Sequence, residues 1–195
     1  MASAKAALDR LCDPEFEVSA HYLITRDGTL CSLVDEQMRA WHAGAGSWQG
    51  CRDMNSASIG IELDNDGVSP FDAAQIDALE PLLDAVMARW GISPRNVIGH
   101  QDMAPGRKCD PGPHFPWKRL AQGGRAVWPE PAEVGDFRAD LSSFGYAPDA
   151  DDQPILEAFR ARFRPGASGP LSDEDRAVAA GLARGFGVDA PSSEA

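Results

Sequence analysis

Val97-Ile-Gly-His100-Gln-Asp-Met-Ala-Pro-Gly-Arg-Lys108-Cys-Asp110-Pro-Gly-Pro113-His-Phe-Pro-Trp117 is the most informative stretch of the chain. Its apolar start predicts a strand over 97–100, ending on His100, and the Pro- and Gly-rich residues beyond it predict a tight loop. A His and an Asp on either side of such a loop can converge on one metal ion. Zinc accepts nitrogen and carboxylate ligands of this kind, and a catalytic zinc takes three protein ligands plus a water. Equally, His100 could simply bond a backbone carbonyl. If 108–110 is extended, Lys108 and Asp110 share a face and Cys109 points away. Lys108 could then face a developing oxyanion, or it could be an ordinary exposed lysine.

Working outward, Ser58-Ile-Gly-Ile-Glu-Leu63 reads as a strand with apolar residues at 59, 61 and 63. Gly60 and Glu62 fall on its other face, where the glycine would leave room for a ligand. Glu62 could serve as a general base for a metal-bound water, or be a solvated strand residue. Trp41-His42-Ala43-Gly44 is an aromatic–imidazole pair in a glycine-rich loop; it could line a substrate groove or merely anchor the loop. His21 reads as a satisfied core or groove histidine and His114 as a surface residue.

The remaining elements follow from periodicity and turn chemistry. A helix is predicted from Ala4 to Leu11 with Ser3 as N-cap. Strands are predicted over 18–24 and 30–34, joined by Arg26-Asp-Gly-Thr29, whose Asp-Gly suits a hairpin turn. A long helix over 72–90 carries Ile76, Leu79, Leu83, Val86 and Met87 on one stripe, with Pro81 inside it. Beyond the proline-rich segment at 130–136, three helices are predicted at 137–144, 154–163 and 172–186, before a frayed end at 191–195. The fold class is therefore α/β: a mixed central sheet flanked by helices, plus a small C-terminal three-helix module. The corresponding domains are 1–129, a linker at 130–136, and 137–190.

The 195 residues carry 18 Lys+Arg against 30 Asp+Glu, a formal charge of −12, which argues against nucleic acid or an anionic membrane as partner. With 43% apolar and 25% charged residues the composition is that of a globular protein. No run approaches the roughly 20 apolar residues that span a bilayer. The start of the chain does not read as a signal peptide. Cys12, Cys31, Cys51 and Cys109 lack the short spacings of a zinc ribbon or redox motif and read as buried or semi-buried reduced thiols. That leans toward a reducing cytoplasm while leaving the periplasm or cell envelope open.

Val18-Ser-Ala-His-Tyr-Leu-Ile24, Ala40-Trp-His-Ala-Gly44, Ser58-Ile-Gly-Ile-Glu62 and the Gly99–Pro113 segment together resemble the type 2 zinc N-acetylmuramoyl-L-alanine amidases. This family includes enzymes acting on anhydro-muropeptides and is related to peptidoglycan recognition proteins. The resemblance covers residues 1–129, and Ala158-Phe-Arg-Ala-Arg-Phe-Arg-Pro165 resembles part of a peptidoglycan-binding helical module. It implies one zinc ion held by His100 and Asp110, Glu62 activating water, and Lys108 stabilising the tetrahedral oxyanion. Trp41 and His42 remain the candidate substrate-binding residues read from their loop. The implied reaction is hydrolysis of the amide between N-acetylmuramic acid and L-alanine, in peptidoglycan or muropeptide fragments, by a monomer. The family's first zinc ligand, a His closing the first core strand, has no counterpart here; it is expected upstream of Met1. The alternative is a non-catalytic peptidoglycan-binding protein that has lost a ligand.

Overall fold

A computed structural model describes residues 4–188. Ser3 and residues 191–195, for which a cap and a frayed end are expected, lie outside them. The chain forms two compact units: residues up to Gly46 with Cys51–Ile92, and Ser47–Gly50 with Ser93 onward. This division falls well before the proline-rich segment at 130–136, because residues 93–129 and the C-terminal helices share one core.

In the first unit, α1 (Ala4–Cys12) precedes β1 (Tyr22–Ile24), β2 (Leu30–Ser32), α2 (Met54–Ala57), β3 (Ile61–Leu63) and α3 (Ala73–Trp90). The sheet order is β2-β1-β3. β1 runs antiparallel to β2, with Leu23 opposite Cys31, and parallel to β3, with Leu23 opposite Glu62. The mixed sheet expected from sequence is present, with shorter strands. Gly28, at φ +85°, makes the hairpin turn. Its left-handed backbone suits glycine, and a Cβ there would lie 2.6 Å from the Ala74 carbonyl oxygen.

Ile76, Leu79, Leu82, Leu83 and Val86 of α3 are buried and Met87 is half-buried; each fully buried aliphatic side chain is worth about 1.5–3 kcal/mol. The helix runs unbroken through Pro81, whose side chain is exposed. Gln75, also fully buried on α3, donates from Nε2 to the Ile24 and Asp64 carbonyls at 2.8 and 3.3 Å. It thereby joins the chain at the ends of β1 and β3.

The second unit holds α4 (His100–Met103), α5 (Trp117–Gln122), α6 (Phe137–Phe144), α7 (Asp152–Phe163) and α8 (Asp173–Phe186). The three C-terminal helices match expectation within two residues at each end. α8 opens with a capping box, Ser172 Oγ accepting from the Asp175 amide and Asp175 accepting from the Ser172 amide. Its core combines Phe137, Leu141, Phe144, Ile155, Phe159, Phe163 and Leu182, all buried. At Gly181 a Cβ would collide with the Glu130 backbone, so α8 lies directly against the segment leading from 129 to 132.

The strand expected over 97–100 does not form. Val97 ends a short 3-10 turn and His100 begins α4. The backbone groups a ladder would pair are taken by side chains instead: the Val97 carbonyl accepts from Arg162, and the Gly99 amide donates to Asp102. All four thiols are unbridged, but Cys12, Cys51 and Cys109 are exposed rather than buried, and Cys31 is intermediate.

Candidate active site

The second unit brings His100 and Asp110 together. The His100 Nδ1 and Asp110 Oδ2 atoms are 3.2 Å apart, with the histidine ring largely covered and the carboxylate open to solvent. Arg107 Nη2 lies 3.3 Å from His100 Nε2. A guanidinium can only donate, so Nε2 is the acceptor and Nδ1 carries the hydrogen that Asp110 receives. Burial raises the Asp110 pKa, but the hydrogen bond from His100, aided by Lys108, leaves it below the ordinary carboxylate value.

The local chain fixes this pair from both sides. The Gln101 amide donates to the Asp110 carbonyl at 2.8 Å. A Cβ on Gly99 would lie 2.6 Å from Pro111 Cδ, so the Asp110–Pro111 segment rests directly on Gly99. Lys108 is exposed, and its amide donates to the Ala104 carbonyl at 3.0 Å. Cys109 and His114 are also exposed.

In the first unit, Glu62 is half-buried at the centre of β3. Gly60 shares its face, as alternation requires, but the space above Gly60 is not left for a ligand. The His42 ring occupies it, since a Cβ on Gly60 would lie 2.7 Å from both His42 Nδ1 and Cδ2. The loop carrying His42 is clamped: Asn55 Oδ1 accepts from the His42 and Ala43 amides at 3.0 and 2.8 Å, and Ser19 Oγ accepts from the Trp41 amide at 2.9 Å. Trp41 presents an exposed ring beneath the Arg39 guanidinium, 4.4 Å from its centroid, an arrangement suited to cation–π attraction.

His21 is buried as expected. It accepts from the Gly60 amide at Nδ1, 2.9 Å, so Nε2 carries the hydrogen and donates to the Met38 carbonyl at 3.1 Å. Both ring nitrogens are thus committed to backbone. The His21 and His42 rings meet edge to face at 5.5 Å.

The sequence model of the family described as N-acetylmuramoyl-L-alanine amidase matches residues 1–113, more than half of the chain. The chain belongs to the N-acetylmuramoyl-L-alanine amidase family. It is 37% identical over 210 residues to the amidase AmiD of Escherichia coli, covering 89% of this chain and 76% of that protein. It is 44% identical over 103 residues to the 1,6-anhydro-N-acetylmuramyl-L-alanine amidase AmpD of Citrobacter freundii, covering 53% of this chain and 55% of that one. It therefore spans about half the length of AmpD. The crystal structure of E. coli AmiD, complexed with its substrate anhydro-N-acetylmuramic acid-L-Ala-D-gamma-Glu-L-Lys, superposes with a TM-score of 0.86 at 36% identity, over 96% of this chain and 86% of that one. AmpDh3 of Pseudomonas aeruginosa, in complex with anhydromuramic pentapeptide, gives 0.84 at 32% identity, over 95% and 89%.

Within this amidase fold, an imidazole and a carboxylate are donor types that zinc accepts; in the metal-free chain the His100–Asp110 hydrogen bond joins them instead, and its proton would have to leave for Nδ1 to ligate a metal. Among the described residues, however, no cluster of three or more His, Cys, Asp and Glu is arranged to hold a metal ion. Sequence reasoning overlooked Arg107, which approaches His100, and Asp102, which supports its turn. The signal for Asp102 was its place two residues after His100, where a carboxylate can cap the turn that His100 opens.

Proposed function

We propose that this protein hydrolyses the amide joining N-acetylmuramic acid to L-alanine in peptidoglycan or muropeptide fragments, using one zinc ion. The observation that carries this is the convergence of an imidazole and a carboxylate, His100 and Asp110, within a chain of the amidase family. AmiD and AmpDh3 have been crystallised with anhydro-muropeptides, which supports the same substrate class here. His100 and Asp110 are two of the residues that would hold the zinc. The zinc, when bound, polarises the scissile carbonyl and acidifies water toward a pKa of about 7.

Glu62 takes the proton from the attacking water and returns it to the departing alanine nitrogen, so that the C–N bond breaks to a carboxylate and an amine. Lys108 offers positive charge to the tetrahedral oxyanion. Trp41, held by the Ser19 contact to its amide, gives the sugar or peptide an aromatic face; His42, seated on Gly60, holds that loop. Residues 1–129 form the catalytic domain in this reading and 137–190 a peptidoglycan-binding-like helical module, in a monomer. Among the described residues no helix is long and apolar enough to cross a membrane.

One observation favours a second reading, a peptidoglycan-binding protein without catalysis: the described residues offer two zinc ligands rather than three. Two protein ligands hold zinc poorly. The 195-residue chain is therefore expected to bind zinc substoichiometrically and to cleave muropeptide slowly. Muropeptide binding and cleavage assays on this protein separate the readings: zinc-dependent release of the stem peptide supports the enzyme, and binding without cleavage supports the binding protein. Near-stoichiometric zinc and rapid cleavage by the 195-residue chain itself would overturn the need for a further ligand.

A further inference from the structure

Beneath His100 lies a buried network that the proposed chemistry does not use. Asp102, two residues along α4, is fully buried, and its carboxylate receives three donors. Oδ2 accepts from the Gly99 amide at 2.8 Å and from Arg162 Nη1 at 2.6 Å; Oδ1 accepts from the Tyr146 hydroxyl at 2.6 Å. Arg162, on α7, is itself fully buried. Its Nη2 donates to the Val97 carbonyl at 3.0 Å, and its guanidinium lies 4.1 Å from the Trp117 ring centroid and 4.8 Å from that of Phe163. Gln101 adds a further tie, donating from Nε2 to the Ala158 carbonyl at 3.3 Å.

Every bond in this set converges on the turn that carries His100. Gly99, whose amide Asp102 holds, is the residue against which Pro111 rests, and the Gln101 amide donates to the Asp110 carbonyl. The chain on both sides of the His100–Asp110 pair is thus fixed to a frame built by α7 and by Tyr146, two residues beyond the end of α6. Stability alone is a poor reason for the arrangement. A buried ion pair seldom exceeds an apolar replacement in stability, and Arg162 Nε finds no acceptor among the described residues. What such a network supplies is one defined geometry.

We propose that Arg162 and Tyr146, acting through Asp102, are positioning residues that set the geometry of the His100–Asp110 pair. The C-terminal helices accordingly take part in shaping the metal-binding turn. Its bearing on amide hydrolysis rests on the zinc reading above, whereas the positioning claim concerns this chain's own residues.

The test compares Arg162→Lys and Tyr146→Phe with Arg160→Lys. Arg160 lies on the same helix and grips another buried carboxylate, Asp175, through Nε at 3.1 Å and Nη2 at 2.5 Å. Tyr146→Phe removes only a hydroxyl and keeps the fold testable if the arginine variant does not express. The His100 ring carbon and nitrogen resonances, assigned with His100→Gln, are recorded in the metal-free chain, and zinc affinity is measured by competition with a chromophoric chelator. Arg162→Lys and Tyr146→Phe should move the His100 resonances and weaken zinc about tenfold, the loss usual for supports of metal ligands. Arg160→Lys should lower thermal stability while leaving both unchanged. Superposable His100 resonances in the first two variants, or equal shifts in all three, would overturn the proposal. A wild-type chain that binds no zinc would defeat the zinc reading, while the ring resonances would still decide the positioning claim.

Discussion

Gly60→Ala should be costly, and the structure says why. Gly60 does not have a left-handed backbone, so alanine brings no conformational strain. The added methyl would instead collide with His42 Cγ and lie 2.7 Å from Nδ1 and Cδ2 of the same ring, where carbon contacts favour about 3.5–4.0 Å. The ring must withdraw by more than about 1 Å, against a loop pinned through Asn55 and Ser19. Overpacking of this size costs about 1–3 kcal/mol. At roughly 2–4 °C per kcal/mol for a chain of this length, a cost of about 2 kcal/mol lowers Tm by about 4–8 °C. A double-mutant cycle isolates the cause. In a His42→Ala background the same change should cost less than about 0.5 kcal/mol, leaving a coupling above about 1 kcal/mol. Thermal and denaturant unfolding of the four proteins measure it. An equal cost in both backgrounds, or none in either, would refute the assignment of His42 to the space over Gly60.

Other perturbations test other parts of the molecule. Glu36 accepts from Arg89, from the Tyr22 hydroxyl at 2.5 Å and from Trp90 Nε1 at 2.6 Å. Led by the Arg89 bond, these donors lower its pKa from 4.5 to about 2. A depressed folded-state pKa stabilises above the unfolded value, so the Tm gap between wild type and Glu36→Gln should be constant near neutrality and close as pH falls from 4.5 toward 2; a gap that widens on acidification would contradict this. Asp175→Asn leaves Arg160 and Arg164 without their shared carboxylate. Breaking a buried pair in this way costs about 3–5 kcal/mol, measurable by denaturant unfolding, and a loss under about 1 kcal/mol would mean that the arginines find other partners. Cys12, Cys51 and Cys109 should react with a thiol reagent in the native protein, with Cys31 slower; mass mapping of labelled peptides checks the order.

Much of the fold was legible because local signals and tertiary packing agree. Ser172 and its acidic first turn mark the start of α8, and the stripe on α3 marks its buried face. Asp27-Gly28 marks the hairpin. The segment 97–100 was misread because Val-Ile-Gly has the composition of a strand, while its hydrogen-bond partners are the side chains of Arg162 and Asp102. Arg162 lies 60 residues from Asp102, and no local pattern ties them. Gly60 reads in the sequence as leaving room for a ligand, but the His42 ring, from a distant loop, fills that space. In the candidate site, the His100–Asp110 meeting followed from a tight loop joining them, and the Glu62 position from strand alternation. The Arg107 contact did not follow, because an exposed arginine can reach many partners.

Zinc content and muropeptide cleavage of this protein test the zinc amidase reading most directly, measured beside His100→Ala, Asp110→Ala and Glu62→Gln. Zinc binding is expected to be equal in the wild type and in Glu62→Gln and to fall well below that in the two ligand variants. Release of a stem peptide beginning with L-alanine, followed by mass spectrometry, should be lost in all three variants. Undiminished cleavage in His100→Ala or Asp110→Ala, or cleavage by the wild type without zinc, would contradict it.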